Sequence, residues 1–409
     1  MRIHTAIKQL QDIDTLNITD EILINILALE KYFKEYEFIH AFIGDNKLKK
    51  LSKNIKFDPA CKFLLEIRKE IDNIFVDEFP YYRKTYYRDL LDSVIAQTEY
   101  FVLKNKKKYS FTDIVERLFA VKLPPLFDIE FCQKELFNLL NSAGYKSIKD
   151  YKNAQKIITF KNFSEMKFYF KKHISETLNL LLKSKDMFTD VDLKKIINNN
   201  SLEIKKAGKN MPPCYYYYKS SYNGTMGVTF SKEYPEDYLL SLIDHEIVPG
   251  HHFYYLIREE LIKKKKTDVL SGIDPFYSPE TVINEGIALC SDLIFKDALS
   301  PLSRINSVIQ KVFHKIMYNI WYSYFVLKKD YKEYRDYLIK NINMTPEKVN
   351  FWIRYYLGKD WRYYAVAYPI GSYYVENFLK KFGHKRAEIL YYQQSVNTLK
   401  KCKKNKNSG

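Results

Sequence analysis

Along the first two hundred positions apolar residues recur at three- and four-residue spacing, the period of helices with one buried face. The stretch TDEILINILALEKYFKEYEFIHAF opens on Thr19-Asp20, side chains suited to capping a helix start, and EMKFYFKKHISETLNLLLKSK repeats the pattern. His40 and His173 fall inside such stretches and read as structural or surface residues. KLPPLFDIEF, at 122–131, is a proline-marked break. The pattern changes between about 199 and 235, where a proline pair, two separated glycines and the alternation in GTMGVTF predict a loop followed by a short strand or hairpin. Helical period returns in EDYLLSLIDHEIV, which runs into Pro249-Gly250. A further helix is predicted over 279–296 with Pro279 near its start, and others over 301–330, 345–357 and 372–382, whose Tyr, Phe and Trp stripes read as core. No internal repeat stands out.

These elements predict a mainly α fold with a small hairpin or short strands. The expected layout is a helical N-terminal region, 1–200, a catalytic region, 201–398, and a basic disordered tail, 399–409. With 12 glycines and 13 prolines in 409 residues the chain is poor in tight turns, which argues against an all-β fold. An apolar content of 46% is that of a chain with a sizeable core.

The formal net charge of +17 raises nucleic acid or an anionic membrane as partners. Much of it sits in the lysine runs at 104–108, 263–266 and 400–407, in a chain rich in Lys, Asn, Ile and Tyr together, and solvated lysines are the simpler reading. No nucleic-acid-binding motif accompanies them. The five cysteines, Cys61, Cys132, Cys214, Cys290 and Cys402, are widely spaced and odd in number, so neither a disulfide framework nor a cysteine metal site is expected. Without an apolar signal core or a membrane-length run, the expected setting is the cytoplasm.

Chemistry concentrates in LIDHEIVPGHHFYYLI, which holds three of the eight histidines. Two histidines four apart on one helical face can share a zinc ion, with a glutamate beside the first acting on water. Here His245-Glu246 supplies the first half, but the next histidines, His251 and His252, come six and seven positions later. On a straight helix seven steps would restore the direction of His245 within ~20° yet lie ~10.5 Å along the axis, a poor chelate. Pro249 must bend or break the helix and Gly250 eases the bend, so either histidine can be swung back towards His245. Glu285, set among small and apolar residues in INEGIALCSD, is the candidate third ligand, and Asp292 a candidate to orient a ligand histidine.

The segment HEIVPGHH resembles the HExxPGHH signature of the bacterial proteins that carry domain of unknown function 885, matching each fixed position. EGIALCSD at 285–292 is similar to the family's EGWAxYxE element, with Ile287, Cys290 and Asp292 substituted. PPCYYYYKSSYNGTMGVTF resembles its tyrosine-rich stretch and glycine turn, and YPIG, Tyr368 to Gly371, echoes a YxxG element. The resemblance spans about 205–380. It implies a helical zincin-like fold and a Zn²⁺ site at His245, His251 or His252, and Glu285, with Glu246 as general base and short peptides as substrates. Tyr368, or one of Tyr215 to Tyr218, is the candidate donor to the oxyanion. Tyr217 is the candidate substrate contact, and Arg362 a candidate clamp for a substrate carboxylate. Two other classes compete: a metal-binding interaction protein without catalysis, and a basic nucleic-acid-binding protein with incidental histidines.

Overall fold

The computed structural model describes residues 18–402 apart from 34–37, 45, 79–81, 105–108, 183–186, 209–213, 296–298, 360 and 393. The lysines at 105–108, the proline pair at 212–213 and the tail beyond 402 therefore lie outside the described residues. The fold is mostly helical. Its first half carries α1 (Ile18–Leu29), α2 (Asn46–Ser52), α3 (Phe57–Ile74), α4 (Arg83–Gln97), α5 (Phe111–Phe119), α6 (Ile129–Ser142), α7 (Ile148–Asn153), α8 (Phe163–Leu181) and α9 (Leu193–Asn199). Several starts follow local side-chain chemistry: Ser110, Asp128, Ser147, Asn162 and Asp192 each accept a backbone N–H of the first turn they cap. Thr19 and Asp20 lie instead inside the first turn of α1.

The predicted helix over Thr19–Phe42 is divided. After α1 and a tight turn at Glu30–Tyr32, Ile39–Phe42 forms strand β1, so His40 stands on a strand. β1 pairs antiparallel with β7 (Ile273–Pro275), Phe42 opposite Ile273. The cause is non-local: the FIHAF segment also alternates, and pairing with a strand more than 230 residues away overrides its helical spacing. β2 (Ile157–Thr159) pairs with β6 (Glu233–Pro235), and β3 (Ser201–Lys206), β5 (Asn223–Val228) and β4 (Cys214–Ser220) form a sheet in that spatial order. β4 and β5 are the expected hairpin. Its turn holds Ser220, Ser221 and Tyr222 at positive φ, secured by the Tyr222 amide donating to Glu259 at 3.1 Å and the Tyr222 hydroxyl to Glu260 at 2.5 Å.

The second half continues with α10 (Glu236–Glu246), α11 (His251–Lys263), α12 (Pro279–Leu289), α13 (Ser291–Ile294), α14 (Pro301–Tyr322), α15 (Lys332–Lys340), α16 (Pro346–Leu357), α17 (Ala367–Phe382) and α18 (Val396–Lys401). A smaller core gathers α1, α3, α4 and β1 with Leu270 and Ile273; a larger one joins residues 96–200 with the second half. Leu399 and Cys402 are buried in it, so 399–402 belong to the folded chain and not to a free tail. In the 263–266 run, Lys263, Lys264 and Lys266 pair with Glu259, Glu260 and Asp190, which removes much of that run's free charge. No helix among the described residues is long and apolar enough to cross a membrane. All five cysteines are free.

Two glycines set a close helix crossing. A methyl on Gly286 of α12 would lie 2.5 Å from the Gly371 carbonyl oxygen, and one on Gly371 of α17 would lie 2.1 Å from that of Val282. The backbones thus touch where any side chain would separate them. Gly371→Ala is expected to destabilise the fold by about 1–3 kcal/mol, read as a lowered urea midpoint, because the atoms it meets are backbone and cannot rotate away. An unchanged midpoint would refute the close crossing.

Candidate metal centre

Helix α10 ends at Glu246, and residues 247–250 reverse the chain before α11 begins at His251. The Val248–Pro249 peptide bond is cis. Gly250 folds so tightly onto α10 that a methyl there would lie 1.7 Å from the His245 carbonyl oxygen, while its N–H donates to the Asp244 carbonyl at 2.9 Å. The predicted interruption at Pro249-Gly250 is thus a full break. It brings the His245 and His251 rings to 4.8 Å between centroids, nearly perpendicular at 85°.

Glu285 approaches from α12. Its Oε2 lies 3.4 Å from Nε2 of His245 and 3.6 Å from Nε2 of His251. Each separation is longer than a good hydrogen bond, and this buried oxygen makes none. The other carboxylate oxygen accepts the Tyr364 hydroxyl at 2.6 Å. His251 Nδ1 donates to Asn284 Oδ1 at 2.9 Å, which turns Nε2 towards Glu285, and the Asn284 amide donates to Tyr255 at 3.2 Å. Tyr255 in turn donates to Asp274 on β7 at 2.6 Å. Among the described residues, His245, His251 and Glu285 are the group whose donor atoms fall within 4.8 Å of one another in a metal-ligand arrangement.

His252 is turned elsewhere. Its Nδ1 meets the Tyr216 hydroxyl and its Nε2 the Asn200 side-chain oxygen, both at 2.5 Å, and burial lowers its pKa to about 3. With both its nitrogens engaged by Tyr216 and Asn200, His252 leaves His251 as the histidine beside His245. Asp292 is likewise displaced from its expected role. The α12 helix ends at Leu289, and the following short helix carries Asp292 to Lys311, whose ammonium lies 2.9 Å from both carboxylate oxygens. Arg362 packs its guanidinium on the rings of Tyr363, at 4.9 Å, and Phe111, at 5.4 Å, and donates to the Tyr363 hydroxyl. That placement serves a buried aromatic cluster, not a carboxylate clamp.

Glu246, next to His245, has its carboxyl pKa raised by burial, against the opposing pull of His245 and His251. The Tyr368 ring lies 6.1 Å from that of His245, and burial keeps its hydroxyl protonated. Alternation along β4 buries Tyr216 and Tyr218 against α11 and turns Tyr215 and Tyr217 the other way, with Tyr217 5.7 Å from His40. His40, set aside by the sequence reading, sits within electrostatic reach of His251 and Glu285, and its pKa is lowered by burial. Tyr364 was also missed, although its four-residue separation from Tyr368 was a readable hint. His314 of α14 stacks on Tyr368 at 4.7 Å and 16°; nothing local marks it.

No family model matches this sequence, and no curated protein matches it. Among solved structures, one described as "the putative lipoprotein from Colwellia psychrerythraea" superposes with a TM-score of 0.53 at 14% identity, over 83% of this chain. This chain spans 65% of the length of that structure. The likeness is one of fold.

Burial alone would lower the His251 pKa, but the Glu285 charge and the Asn284 hydrogen bond outweigh it and raise it to about 9. Burial would raise Glu285; the His251 and His245 charges pull it below its usual value instead. In metal-free protein the raised histidine contributes stability that is complete below pH ~6.5 and lost as pH climbs through about 9. The depressed carboxylate contributes stability present above pH ~4.5 and lost on acidification. Melting temperature with chelator present should therefore fall between pH 6.5 and 9 in the wild type, and His251→Gln should flatten that slope; equal slopes would refute the coupling.

Proposed function

We propose that this chain is a zinc-dependent peptidase acting on short peptides, with a zincin-like arrangement related to the proteins carrying domain of unknown function 885. The observation that carries this reading is the buried Glu285 Oε2, which makes no hydrogen bond and faces two imidazole nitrogens. Tetrahedral zinc with ligands near 2.0–2.2 Å sets its donor atoms roughly 3.4 Å apart. The 3.4 and 3.6 Å separations at Glu285 fit that spacing and do not fit hydrogen bonds. Two imidazoles and one carboxylate also form a donor set that suits zinc and leaves a position for substrate or water.

His245, His251 and Glu285 would hold the ion. When bound, it supplies Lewis-acid polarisation and makes water more acidic. The chain's own groups do the rest. Asn284 fixes His251 with its Nε2 lone pair towards the centre, and Tyr364 orients Glu285 through the oxygen that does not face the histidines. Glu246 takes a proton from the attacking water and passes it to the leaving amine; a carboxyl with a raised pKa suits both transfers. Tyr368, held protonated by burial, is the nearby hydroxyl able to donate to a carbonyl oxygen that gains charge.

Purified wild type is expected to hold about one zinc per chain. His245→Ala, His251→Ala and Glu285→Ala should lose it, while His252→Ala keeps it. Glu246→Gln should keep the metal yet lower kcat on a peptide library by about 10²–10⁴-fold. A wild type that takes up no zinc would sink the reading. One that takes up zinc but cleaves no peptide would point to the metal-binding interaction protein instead.

A further inference from the structure

His314 lies on α14, which packs against the α10 helix that carries His245, and is buried. One face of its ring stacks on Tyr368, centroid to centroid at 4.7 Å and 16° from parallel, and Tyr368 is itself 6.1 Å from the His245 ring. Its Nδ1 edge is turned to the Tyr356 hydroxyl at 2.6 Å. Burial raises the Tyr356 pKa well above its ordinary value, so that hydroxyl keeps its proton, and His314 is the hydrogen-bond partner it has among the described residues. The proton is therefore donated to Nδ1. A neutral imidazole that accepts at Nδ1 carries its own hydrogen on Nε2. Burial also lowers the His314 pKa, to about 3, and the neighbouring His245 acts in the same direction. The ring is thus neutral at physiological pH, a donor without a charge.

Resting on the peptidase reading, we propose that His314 is a further catalytic residue of this site, whose Nε2–H donates to the substrate carbonyl oxygen as negative charge develops there, with Tyr356 as the positioning residue that fixes its tautomer. The arrangement is suited to the task for two reasons. A neutral donor adds no repulsion to a cationic metal, and its ring is already held by stacking on one face and a hydrogen bond on one edge, so little reorganisation accompanies the reaction. It also gives Tyr368 a second duty, as the platform that keeps His314 in register.

The test uses full-length protein in two arms. In the first, ¹⁵N-histidine-labelled metal-free protein is read by long-range ¹H–¹⁵N NMR at pH 7, the His314 signals being assigned by their loss in His314→Gln. The expected result is a neutral ring with its proton on Nε2, and a loss of that preference in Tyr356→Phe; a proton on Nδ1 in wild type overturns the proposal. In the second arm, zinc-loaded variants are compared on the best-cleaved library peptide and on its phosphinic analogue, whose tetrahedral P–O⁻ imitates the charged carbonyl. His314→Ala should keep its zinc and a KM within threefold, lower kcat about 10²–10³-fold, and weaken phosphinic binding by a similar factor. His314→Gln, which restores an N–H donor, should recover at least tenfold of the lost kcat, and this variant decides the matter if the alanine variant fails to fold. Loss of zinc in the folded variants, or kcat within threefold of wild type, overturns the role of His314 while the peptidase reading stands. A wild type that binds no zinc or cleaves nothing defeats the peptidase reading itself, whatever the tautomer.

Discussion

The centre depends on a steric fact at one residue. The backbone of Gly250 lies against the His245 carbonyl so closely that no β-carbon fits between them. Six residues of straight helix would carry His251 about 9 Å along the axis from His245. The break reduces that to two rings in contact, 4.8 Å apart. Neither segment is left free to swing. Asp244, just before His245, is tied to His173 of α8 at 3.0 Å and accepts the Ser303 hydroxyl of α14. On the other side Arg258 of α11, fully buried, reaches Glu280 at 2.5 Å in the first turn of α12 and the backbone carbonyls of Ser271 and Tyr391 at 3.0 Å. Breaking such a buried, hydrogen-bonded pair typically costs about 3–5 kcal/mol, which makes the angle between α11 and α12 a rigid quantity.

That rigidity is continued by the glycine crossing of α12 and α17. Glu285 immediately precedes Gly286, and Tyr368 stands one turn before Gly371, so this close backbone approach also sets the distance from the Glu285 carboxylate to the tyrosines of the 364–368 segment. The electrostatic consequence is a small volume holding the Glu285 and Glu246 carboxyls and several imidazoles, most of them shielded from water. Burial works against every charge there, and the outcome depends on whether an opposite charge outweighs it: Glu285 drives His251 towards protonation, while burial keeps His314 neutral. Identical side chains thus acquire opposite character within one site.

Several parts of this arrangement were legible without coordinates. The helical period foretold most helices, and the Pro249-Gly250 pair foretold where a helix must stop, because both residues act on their own backbone. The hairpin was legible for the same reason. The failures have a common cause as well. His40 was assigned to a helix because its strand partner lies at 273–275. Asp292 was assigned to a histidine because the helix end at Leu289, which redirects it to Lys311, leaves no strong local mark. Arg362 was read as a substrate clamp although its immediate neighbour Tyr363 belongs to an aromatic cluster with Tyr100 and Phe111.

By itself, then, the sequence determined the helical character, the hairpin and the break after His245, since propensity, proline and glycine act within a few residues. The tertiary structure alone decided which of His251 and His252 stands beside His245 and Glu285. The two are adjacent on one helix and point about 100° apart, so only what packs on each side of α11 can choose: Tyr216 and Asn200 on one, Glu285 and Asn284 on the other. It also alone brought His40, Tyr364 and His314 to the centre, because their nearness is a property of strands and helices far apart in the chain that meet through long-range packing, and no local pattern encodes it.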